Sequence, residues 1–478
     1  MNSQSQQGFP PNTPAAIPST TFAQRAKKNR PQTISSSAVF SILISGGMNM
    51  AFNFDLLIAL FVTTPHIRYC WFIGGIIGAI VGAVLCNRIP KKITLIISAS
   101  LVMVGGIILL IRSLDFDAII AARYIDGIAT GLTFVPGIVL ISEEAVSYMR
   151  GKFVVLIDSL SFTFGIWIQI LIRTSYNDYF AQSFNIIKMQ GVLSIICGVC
   201  AFVSIYFLIE SPVLQVVQNK EEDALKGLTN LQRPSIRTQE TYALLEEHKR
   251  YVAYNNEMPI QESFIKGLPA LLKLCILRAL GALTFSYLTN AAFFFGSSIN
   301  QFTTSNTILV LPFQLFCHLR LLGTLIGYFT VDSIGRKLPM LVGVLICGGL
   351  AVGVAINFSD EMNILDESKM KVISYLLYVF QFFAGLIITS SSAYLSEAFP
   401  LAAKPYNISV TFIFEMVVHC IIAATAISFP VFFAYFIATV VLYFAFVIFG
   451  FLCLPETKNA TLLEAQQQFE KFLVIRRS

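Results

Sequence analysis

The sequence predicts an all-α integral membrane protein in which twelve membrane-spanning helices form two halves of six. Apolar residues make up 55% of the 478 residues, and charged residues only 13%. That charged fraction is about half of what an average soluble domain carries. Apolar runs of about 20 residues, the length that crosses a bilayer, recur along the chain. Polar signatures at the ends of these runs also appear twice, once in each part of the chain.

The apolar runs give the boundaries of the predicted membrane spans. They lie at residues 38–62, 70–87, 93–112, 118–141, 153–172, 186–209, 268–296, 308–331, 338–357, 371–394, 406–428 and 430–453. The connections between them are short, except for a polar and charged segment at residues 213–267. We therefore expect a six-helix half at residues 36–212 and a second at residues 268–454, separated by a partly helical central loop.

The chain ends differ from the halves in composition. Residues 1–35 are rich in Ser, Gln, Pro and Asn, which predicts a disordered tail. This segment has no apolar core with a cleavage site, so it is not expected to be a signal peptide. Residues 455–478 are expected to form a second tail.

The positions of Lys and Arg predict the orientation, because basic loops stay on the cytoplasmic side of a membrane. The N-terminal basic cluster, the central loop and the C-terminal tail all fall on one side. The other side carries few basic residues and has an acidic loop at residues 360–369. Both termini and the central loop are therefore predicted to be cytoplasmic. The net charge of +6 is not gathered into a stripe, so no nucleic-acid partner is expected.

A repeat of polar signatures relates the two halves. Similar basic loops at residues 87–92 and 332–337 follow runs two and eight, and Glu143 precedes Arg150 by the same seven residues that separate Glu397 from Lys404. A carboxylate that faces a basic loop forms a charge-assisted lock, which we expect to close the cytoplasmic side. The predicted network comprises Arg88, Lys91, Lys92, Glu143, Arg150, Glu210, Asp332, Arg336, Lys337, Glu397, Lys404 and Glu456.

Two parallel halves of six spans are a plan of transporters, whose solute site lies between the halves near the midplane. We expect runs 1, 5, 7, 8, 10 and 11 to line that cavity. The chain has no nucleotide-binding loop, HExxH or GxSxG motif, which argues against an enzyme. Among the nine cysteines, Cys197 and Cys200 form a CxxC pair, but this pair lies inside an apolar run and no second pair completes a metal-ligand set, so no metal or cofactor is expected.

Ionisable residues within the runs are candidate functional residues, since each costs about 2.5–3.5 kcal/mol to insert. Asp55, Asp158, Arg320 and Glu415 are such residues. We predict that Arg320 pairs with Glu415 or Asp158, which would neutralise the charges. Asp55, Asp158 and Glu415 are candidate proton sites, although Asp55 could instead lie near the outer third of its span and bind a polar neighbour.

Helical spacing adds a polar stripe to run five. Gly165 and Gln169 follow Asp158 at i+7 and i+11, so the three are expected to share one face toward the cavity. Asn290 in run seven could bind a solute hydroxyl with its amide, or alternatively make an inter-helix hydrogen bond. Tyr287 and Gln381 are weaker candidates.

Several segments resemble the sugar porter family of the major facilitator superfamily, which includes facilitative glucose transporters and insect trehalose or sugar carriers. They are NRIPKK, RYIDGIATG, EEAVSYMRG, IESPVL, VDSIGRK, SEAFPLAAKP and LPETK. The resemblance covers nearly the whole chain after the tail and implies the major facilitator fold. It also places Asn290, within TNAAFFFGSSI, at the family's sugar-binding asparagine.

Other family positions carry different residues here. Pro90 stands where the family's loop has glycine, and the glutamine pair before the asparagine reads Thr284 and Phe285. Asp158 stands at the position of the family's span 5 glutamine, and Arg320 at that of its span 8 asparagine. Ser392 stands at the position of the span 10 tryptophan, and Glu415 at that of the span 11 asparagine. The segments quoted above, which contain the charged residues expected to close the cytoplasmic side, are thus retained. Most positions that contact a hexose in the family carry other residues here.

These observations predict a carrier that moves a sugar or sugar-like solute by alternating access. The alternatives are a carrier of another solute, such as an organic acid that Arg320 would suit or a polyol, and a solute sensor that does not transport. The candidate solute-binding residues are Asn290, Asp158, Gln169, Tyr287, Arg320, Glu415 and Ser392. We expect a monomer in the plasma membrane, by resemblance, with Asn357 as a candidate glycosylation site in an Asn-Phe-Ser sequon.

Overall fold

The computed structural model describes residues 22–52, 54, 65–175, 184–303 and 310–473, and these residues are mainly helical. The helices before the central segment are α1 (Phe22–Lys28), α2 (Arg30–Met50), α3 (His66–Leu85), α4 (Lys91–Ile111), α5 (Phe116–Glu144), α6 (Arg150–Val155), a π-helical turn (Leu156–Leu160), α7 (Ser161–Ser175) and α8 (Ile186–Ile205). Those of the central segment are α9 (Pro212–Val217), α10 (Glu221–Asn230) and α11 (Gln239–Asn256). The remaining ones are α12 (Ile260–Thr284), α13 (Tyr287–Thr303), α14 (Val310–Thr330), α15 (Lys337–Asn357), a 3₁₀ turn (Glu361–Leu365), α16 (Glu367–Glu397), α17 (Lys404–Ala424), α18 (Phe429–Cys453) and α19 (Leu462–Glu470).

The helices confirm the predicted membrane fold. In the part of the chain that the structure describes, ten helical stretches are long and apolar enough to cross a membrane. Helices α2 and α14 occupy the places of the first and eighth predicted runs. Every predicted run therefore coincides with a helical segment, as expected for the two-half architecture.

The first helices begin earlier than the sequence predicted. Helix α1 starts at Phe22 and α2 at Arg30, so the expected disordered tail is helical from residue 22 onward. Asn29 and Ser35 are fully buried, and the Asn29 Nδ2 donates to the Tyr148 hydroxyl at 3.1 Å. The polar composition that suggested disorder is compatible with order here, because neighbouring helices satisfy these side chains.

Each half is built on closely packed helix pairs, and the halves meet along two seams. In the first half α3 packs on α5 so tightly that a Cβ at Gly131 would lie 2.2 Å from the Gly75 carbonyl oxygen. In the second half α16 packs against α14 and α15, while α18 packs against α15. Helices α3 and α17 form one seam between the halves, and α7 and α14 form the other.

The seventh run is split into two helices. Helix α12 ends at Thr284 and α13 begins at Tyr287. Side chains bind the carbonyl groups at this break. Tyr435 donates its hydroxyl to the Leu283 oxygen at 3.0 Å, and Gln381 donates its amide to the Thr284 oxygen at 2.9 Å. The break thus leaves no cost of unpaired carbonyls at these two positions.

Helices α1, α9–α11 and α19 cover one end of the membrane bundle, which we call the terminal face. Tyr251 on α11 donates to the Phe399 carbonyl oxygen at 3.5 Å, and the Asn255 amide donates to Gln466 on α19 at 3.2 Å. On the first half, Arg150 pairs with Glu247 of α11 at 3.9 Å. The central segment therefore contacts both halves through α11.

A buried histidine gives α11 a predicted pH dependence. The pKa of His248 is lowered to about 4, because burial and then the nearby Arg150 disfavour the charged imidazole. The unfolded chain takes up this proton near its ordinary pKa of about 6.5, so the folded state is destabilised as the pH falls from there toward 4. We expect about 2 kcal/mol of stability to be lost between about pH 7.5 and about pH 5.

Thermal unfolding in detergent at the two pH values checks this expectation. The variant His248→Gln should lower the pH dependence relative to the natural protein, whereas His66→Gln, at an exposed histidine, should not. Equal pH dependence in the natural protein and the His248 variant would contradict the assignment.

Candidate functional site

A small cavity lies between the two halves. Its volume is about 40 Å³, which has room for a few water molecules only. Side chains from both halves line it: Met50, Phe134, Asp158, Ser159, Phe162, Thr163, Ile166, Arg278, Gly281, Arg320, Ile388, Phe412, Glu415 and Met416. Four of these residues are ionisable, which is costly within a membrane and marks the cavity as the candidate solute site.

Arg278 of α12 holds both cavity carboxylates. Its NH2 nitrogen lies 3.0 Å from Asp158 Oδ2, and its Nε lies 3.3 Å from Glu415 Oε2. Ser392 of α16 donates to the same Asp158 oxygen at 2.7 Å. This cluster joins the first half, through Asp158, to three helices of the second half.

The predicted pairing of Arg320 with Glu415 or Asp158 is therefore wrong, and Arg278 is the residue that sequence reasoning missed. A signal was present, since Arg278 lies inside the seventh predicted run, where any charge is unusual. The rotation of α12 about its axis, which the sequence does not specify, decides that this arginine reaches the two carboxylates.

Arg320 has neutral neighbours instead. Its NH1 donates to Gln381 Oε1 at 2.8 Å and to Thr284 Oγ1 at 3.2 Å. Its Cζ lies 5.1 Å from the centre of the Phe285 ring. Only 3% of the residue is exposed. Thr284 and Phe285, which stand at the positions of the family's glutamine pair, thus both contact the Arg320 side chain.

The π-helical turn explains why the predicted polar stripe of run five does not line the cavity. A π turn closes its hydrogen bonds over five residues, so it changes the face that later residues present. Asp158 lies within this turn. Downstream, Gly165 packs against the α2 backbone, and the Gln169 amide donates to Gln190 of α8 at 3.1 Å. The cavity face is taken by the segment around Thr163 instead.

The other predicted solute contacts lie outside this cavity lining. Asn290 and Tyr287 are buried on α13, and within the described residues neither Asn290 Oδ1 nor the Tyr287 hydroxyl has a hydrogen-bond partner. Arg68 lies over the Tyr287 ring at 4.9 Å.

Asp55, the third candidate proton site, falls outside the described residues. Asn357 is the last residue of α15, and its amide donates to the Gly353 carbonyl oxygen at 2.8 Å.

A second buried polar network lies within the first half and was also missed. Asp126 accepts hydrogen bonds from Ser45 at 2.5 Å and from the Trp71 indole at 3.0 Å. One turn earlier, Arg123 donates to the Asn49 carbonyl oxygen at 3.1 Å. This network links α2, α3 and α5, and its internal hydrogen bonds identify it as part of the scaffold of that half.

At the terminal face, the second half has a buried ionic cluster. Arg336 is fully buried and lies 2.9 Å from Glu397 Oε1 and 3.1 Å from Asp332 Oδ1. The Thr457 hydroxyl donates to the other Glu397 oxygen at 2.6 Å. In the first half, Lys91 pairs with Glu143 at 3.4 Å, so the predicted repeat is visible in the contacts.

Two hydrogen bonds connect the second half to the first half at this face. The Lys152 backbone N–H donates to Asp332 Oδ2 at 2.9 Å, and Arg150 donates to the Ala460 carbonyl oxygen at 3.1 Å. The Lys404 amine is buried without a hydrogen-bond partner among the described residues. Arg88 is exposed, and neither it nor Lys92 forms an ion pair in the part of the chain that the structure describes.

Glu456 and Glu210 hold corresponding places in the repeat but differ in their contacts. Glu456 Oε2 accepts the backbone N–H groups of Arg336 and Lys337, both at 3.0 Å, and so caps α15. Gly335 makes this approach possible, because its φ of +112° suits glycine and a Cβ there would lie 2.6 Å from Glu456 Oε2. Both carboxylate oxygens of Glu210 are buried without a hydrogen-bond partner among the described residues.

This difference predicts unequal effects of the same substitution. We expect Glu456→Gln to destabilise the protein by about 1–2 kcal/mol, because it weakens charge-assisted bonds to the helix N-terminus. Glu210→Gln should not destabilise the protein, since no hydrogen bond is lost and a buried charge without a hydrogen-bond partner among the described residues is removed. Thermal unfolding of the two variants in detergent measures the difference, and a larger loss for Glu210→Gln would contradict it.

Different contacts join the two halves near the face opposite the terminal face. The His419 ring of α17 stacks on Phe72 of α3 with centroids 4.8 Å apart. Gln314 of α14 donates to the Thr174 hydroxyl at 3.3 Å. The Phe54 ring lies 6.2 Å from Phe285 of the second half. Contacts between the two halves therefore lie on both sides of the cavity.

Comparison with known proteins identifies the family. The family described as "Sugar (and other) transporter" matches residues 12–469, nearly the whole chain. The chain belongs to this sugar transporter family. The match confirms the resemblance to the sugar porter family that the sequence segments indicated. It also agrees with the all-α membrane fold of two halves.

Curated relatives of the sugar transporter family match over different lengths. The mouse facilitated glucose transporter member 12 is 32% identical over 168 residues, which cover 35% of this chain and 26% of the relative. The chain thus spans about a quarter of the length of that relative. The arabinose-proton symporter of Escherichia coli K12 is 25% identical over 411 residues, which cover 82% of each protein. The glucose transporter GlcP of Staphylococcus epidermidis is 27% identical over 411 residues, which cover 83% of this chain and 87% of GlcP.

Solved structures of the sugar transporter family share the fold. The proton:xylose symporter XylE bound to 6-bromo-6-deoxy-D-glucose superposes with a TM-score of 0.71 at 18% identity, covering 92% of this chain and 98% of XylE. The inward-open conformation of XylE from E. coli gives a TM-score of 0.60 at 17% identity.

Proposed function

We propose that this protein is a carrier, not an enzyme, that moves a sugar or sugar-like solute across a membrane by alternating access. The observation that carries the proposal is the cavity between two halves of a sugar transporter scaffold. Its lining combines ionisable side chains with apolar ones, and different sets of contacts between the halves lie on its two sides. A site that both ends can seal is what alternating access requires.

Opening toward each face requires a different set of contacts to break. The terminal face can open only when Lys152 leaves Asp332 and Arg150 leaves the Ala460 carbonyl group. The opposite face can open only when the His419 ring leaves Phe72 and Gln314 leaves Thr174. A solute changes the balance of the two openings only through different affinity for each, or by lowering the barrier between them.

We place the terminal face in the cytoplasm, with the plasma membrane as the location and a monomer as the working unit. The concentration of Lys and Arg at that end of the sequence supports the orientation. Asn290, Tyr287 and Gln169 remain proposed solute contacts that would join the cavity when it enlarges. Asp55, Asp158 and Glu415 remain proposed proton sites.

Counterflow in proteoliposomes tests the carrier proposal. Purified protein is reconstituted in vesicles loaded with an unlabelled solute, and uptake of the same labelled solute is followed for a panel of neutral and acidic monosaccharides. A carrier gives transient accumulation of the labelled solute above equilibrium. Binding without any counterflow would identify a sensor instead and would overturn the proposal.

A further inference from the structure

Arg320 is a buried cation of the cavity that forms no ion pair with a carboxylate in the part of the chain that the structure describes. Among the described residues, its guanidinium donates hydrogen bonds to the neutral side-chain oxygens of Gln381 and Thr284. Its Nε has no hydrogen-bond partner there. An arginine keeps its charge at any physiological pH and offers five N–H donors, so part of its binding capacity is unused.

The other cavity arginine shows what compensation looks like. Arg278 is contacted by two carboxylates, Asp158 at 3.0 Å and Glu415 at 3.3 Å. Both carboxylates of the cavity therefore form ion pairs with Arg278, and neither forms an ion pair with Arg320. Removing an ion from water costs several kcal/mol when no counter-charge repays it. Arg320 is the cavity arginine that has no carboxylate within ion-pair distance among the described residues, and Glu415 acts on its charge only from farther away.

We propose that the solute of this carrier is an acidic sugar, a polyhydroxylated carboxylate, whose carboxylate binds Arg320. The inference rests on the proposed carrier function and specifies its substrate class. A guanidinium matches a carboxylate with two parallel charge-assisted hydrogen bonds, which are stronger than bonds between neutral groups. The Thr163 hydroxyl, which lines the same cavity and lies 3.4 Å from Thr324, would supply a neutral partner for a hydroxyl group of the solute.

The Arg278 cluster does not compete for this role. Asp158 is held by the Ser392 hydroxyl as well as by Arg278, so its charge is met within the protein. A cationic sugar would have to displace that internal pairing. An anionic sugar at Arg320 needs only to exchange two neutral oxygens for a carboxylate, which favours the anion.

Three probes with one pyranose ring separate the possibilities: D-glucuronate, D-glucose and D-glucosamine, which carry a negative, a neutral and a positive group. Ligand-induced thermal stabilisation of the purified protein in detergent measures binding without requiring transport. We expect glucuronate to bind at least about tenfold more tightly than glucose or glucosamine. The variant Arg320→Gln should lose this preference, Arg320→Lys should keep part of it, and Arg112→Gln, at an exposed arginine, should keep all of it.

Counterflow with the same probes keeps this inference distinct from the carrier proposal. Glucose binding that equals or exceeds glucuronate binding, or a glucuronate preference that survives Arg320→Gln, would overturn the acidic-sugar assignment, even if the protein transports. Glucuronate binding that depends on Arg320 supports the assignment. Its transport in vesicles then decides whether the protein is a carrier or a sensor of that solute.

Discussion

Replacing Arg278 by glutamine is expected to destabilise the protein by about 3–5 kcal/mol and to abolish solute movement. The reason is that removing one partner of a buried ionic cluster leaves the others as unpaired charges. Asp158 and Glu415 would face each other across the cavity without the guanidinium that now contacts both. The link from the first half to α12 would be lost at the same time.

A combined variant controls for this interpretation. Arg278→Gln with Asp158→Asn and Glu415→Gln removes all three charges while keeping similar volumes, and it should recover most of the lost thermal stability. Arg112→Gln makes the same change at a residue whose side chain is 69% exposed and should have little effect. If Arg278→Gln alone were as stable as the natural protein, the three residues would not form a mutually compensating cluster.

Replacing Arg336 by alanine is expected to open the terminal face. Arg336 is fully buried between Glu397 and Asp332, so its loss leaves two carboxylates without their cation and weakens the loop that binds Lys152. We expect a cost of about 3–5 kcal/mol to the closed state. A bias of that size is enough to change which face of a two-state carrier is populated.

The measurement uses a thiol placed in the cavity. A cysteine introduced at Thr163, which lines the cavity, is labelled with an impermeant reagent applied from the terminal face. Arg336→Ala should raise its labelling rate about tenfold or more. Arg237→Ala, which removes an exposed ion pair with Glu222, is the matched control and should leave the rate unchanged. Equal rates with and without Arg336 would mean that the cluster does not hold this face shut.

The fold was predictable from the sequence because membrane helices are encoded by length and apolarity, which can be read directly. The repeated signatures around Glu143 and Glu397 also correspond to contacts, since Lys91 and Arg336 bind them in the two halves. These features depend on positions near helix ends, where the neighbours follow from the order of the spans. The helical terminal segment from Phe22 was missed because composition does not reveal which polar groups find partners.

The cavity was less predictable, because contacts there depend on how each helix is rotated about its axis. Arg278 rather than Arg320 reaches the two acids, and no spacing rule distinguishes the two arginines. Asp158 was placed on one face with Gln169 by assuming a regular helix, and the π turn breaks that assumption. Local irregularities of this kind change the register without leaving a clear sequence signal.

The interruption between α12 and α13 has a mechanical consequence. Side chains of Tyr435 and Gln381, rather than the next helical turn, bind the Leu283 and Thr284 carbonyl groups. Thr289 of α13 also donates its hydroxyl to the Leu283 oxygen at 2.9 Å. The direction of α13 is therefore set by these side chains and not by a continuous helix. We expect a substitution of Tyr435 or Gln381 to change the position of α13 more than that of Arg278 on α12.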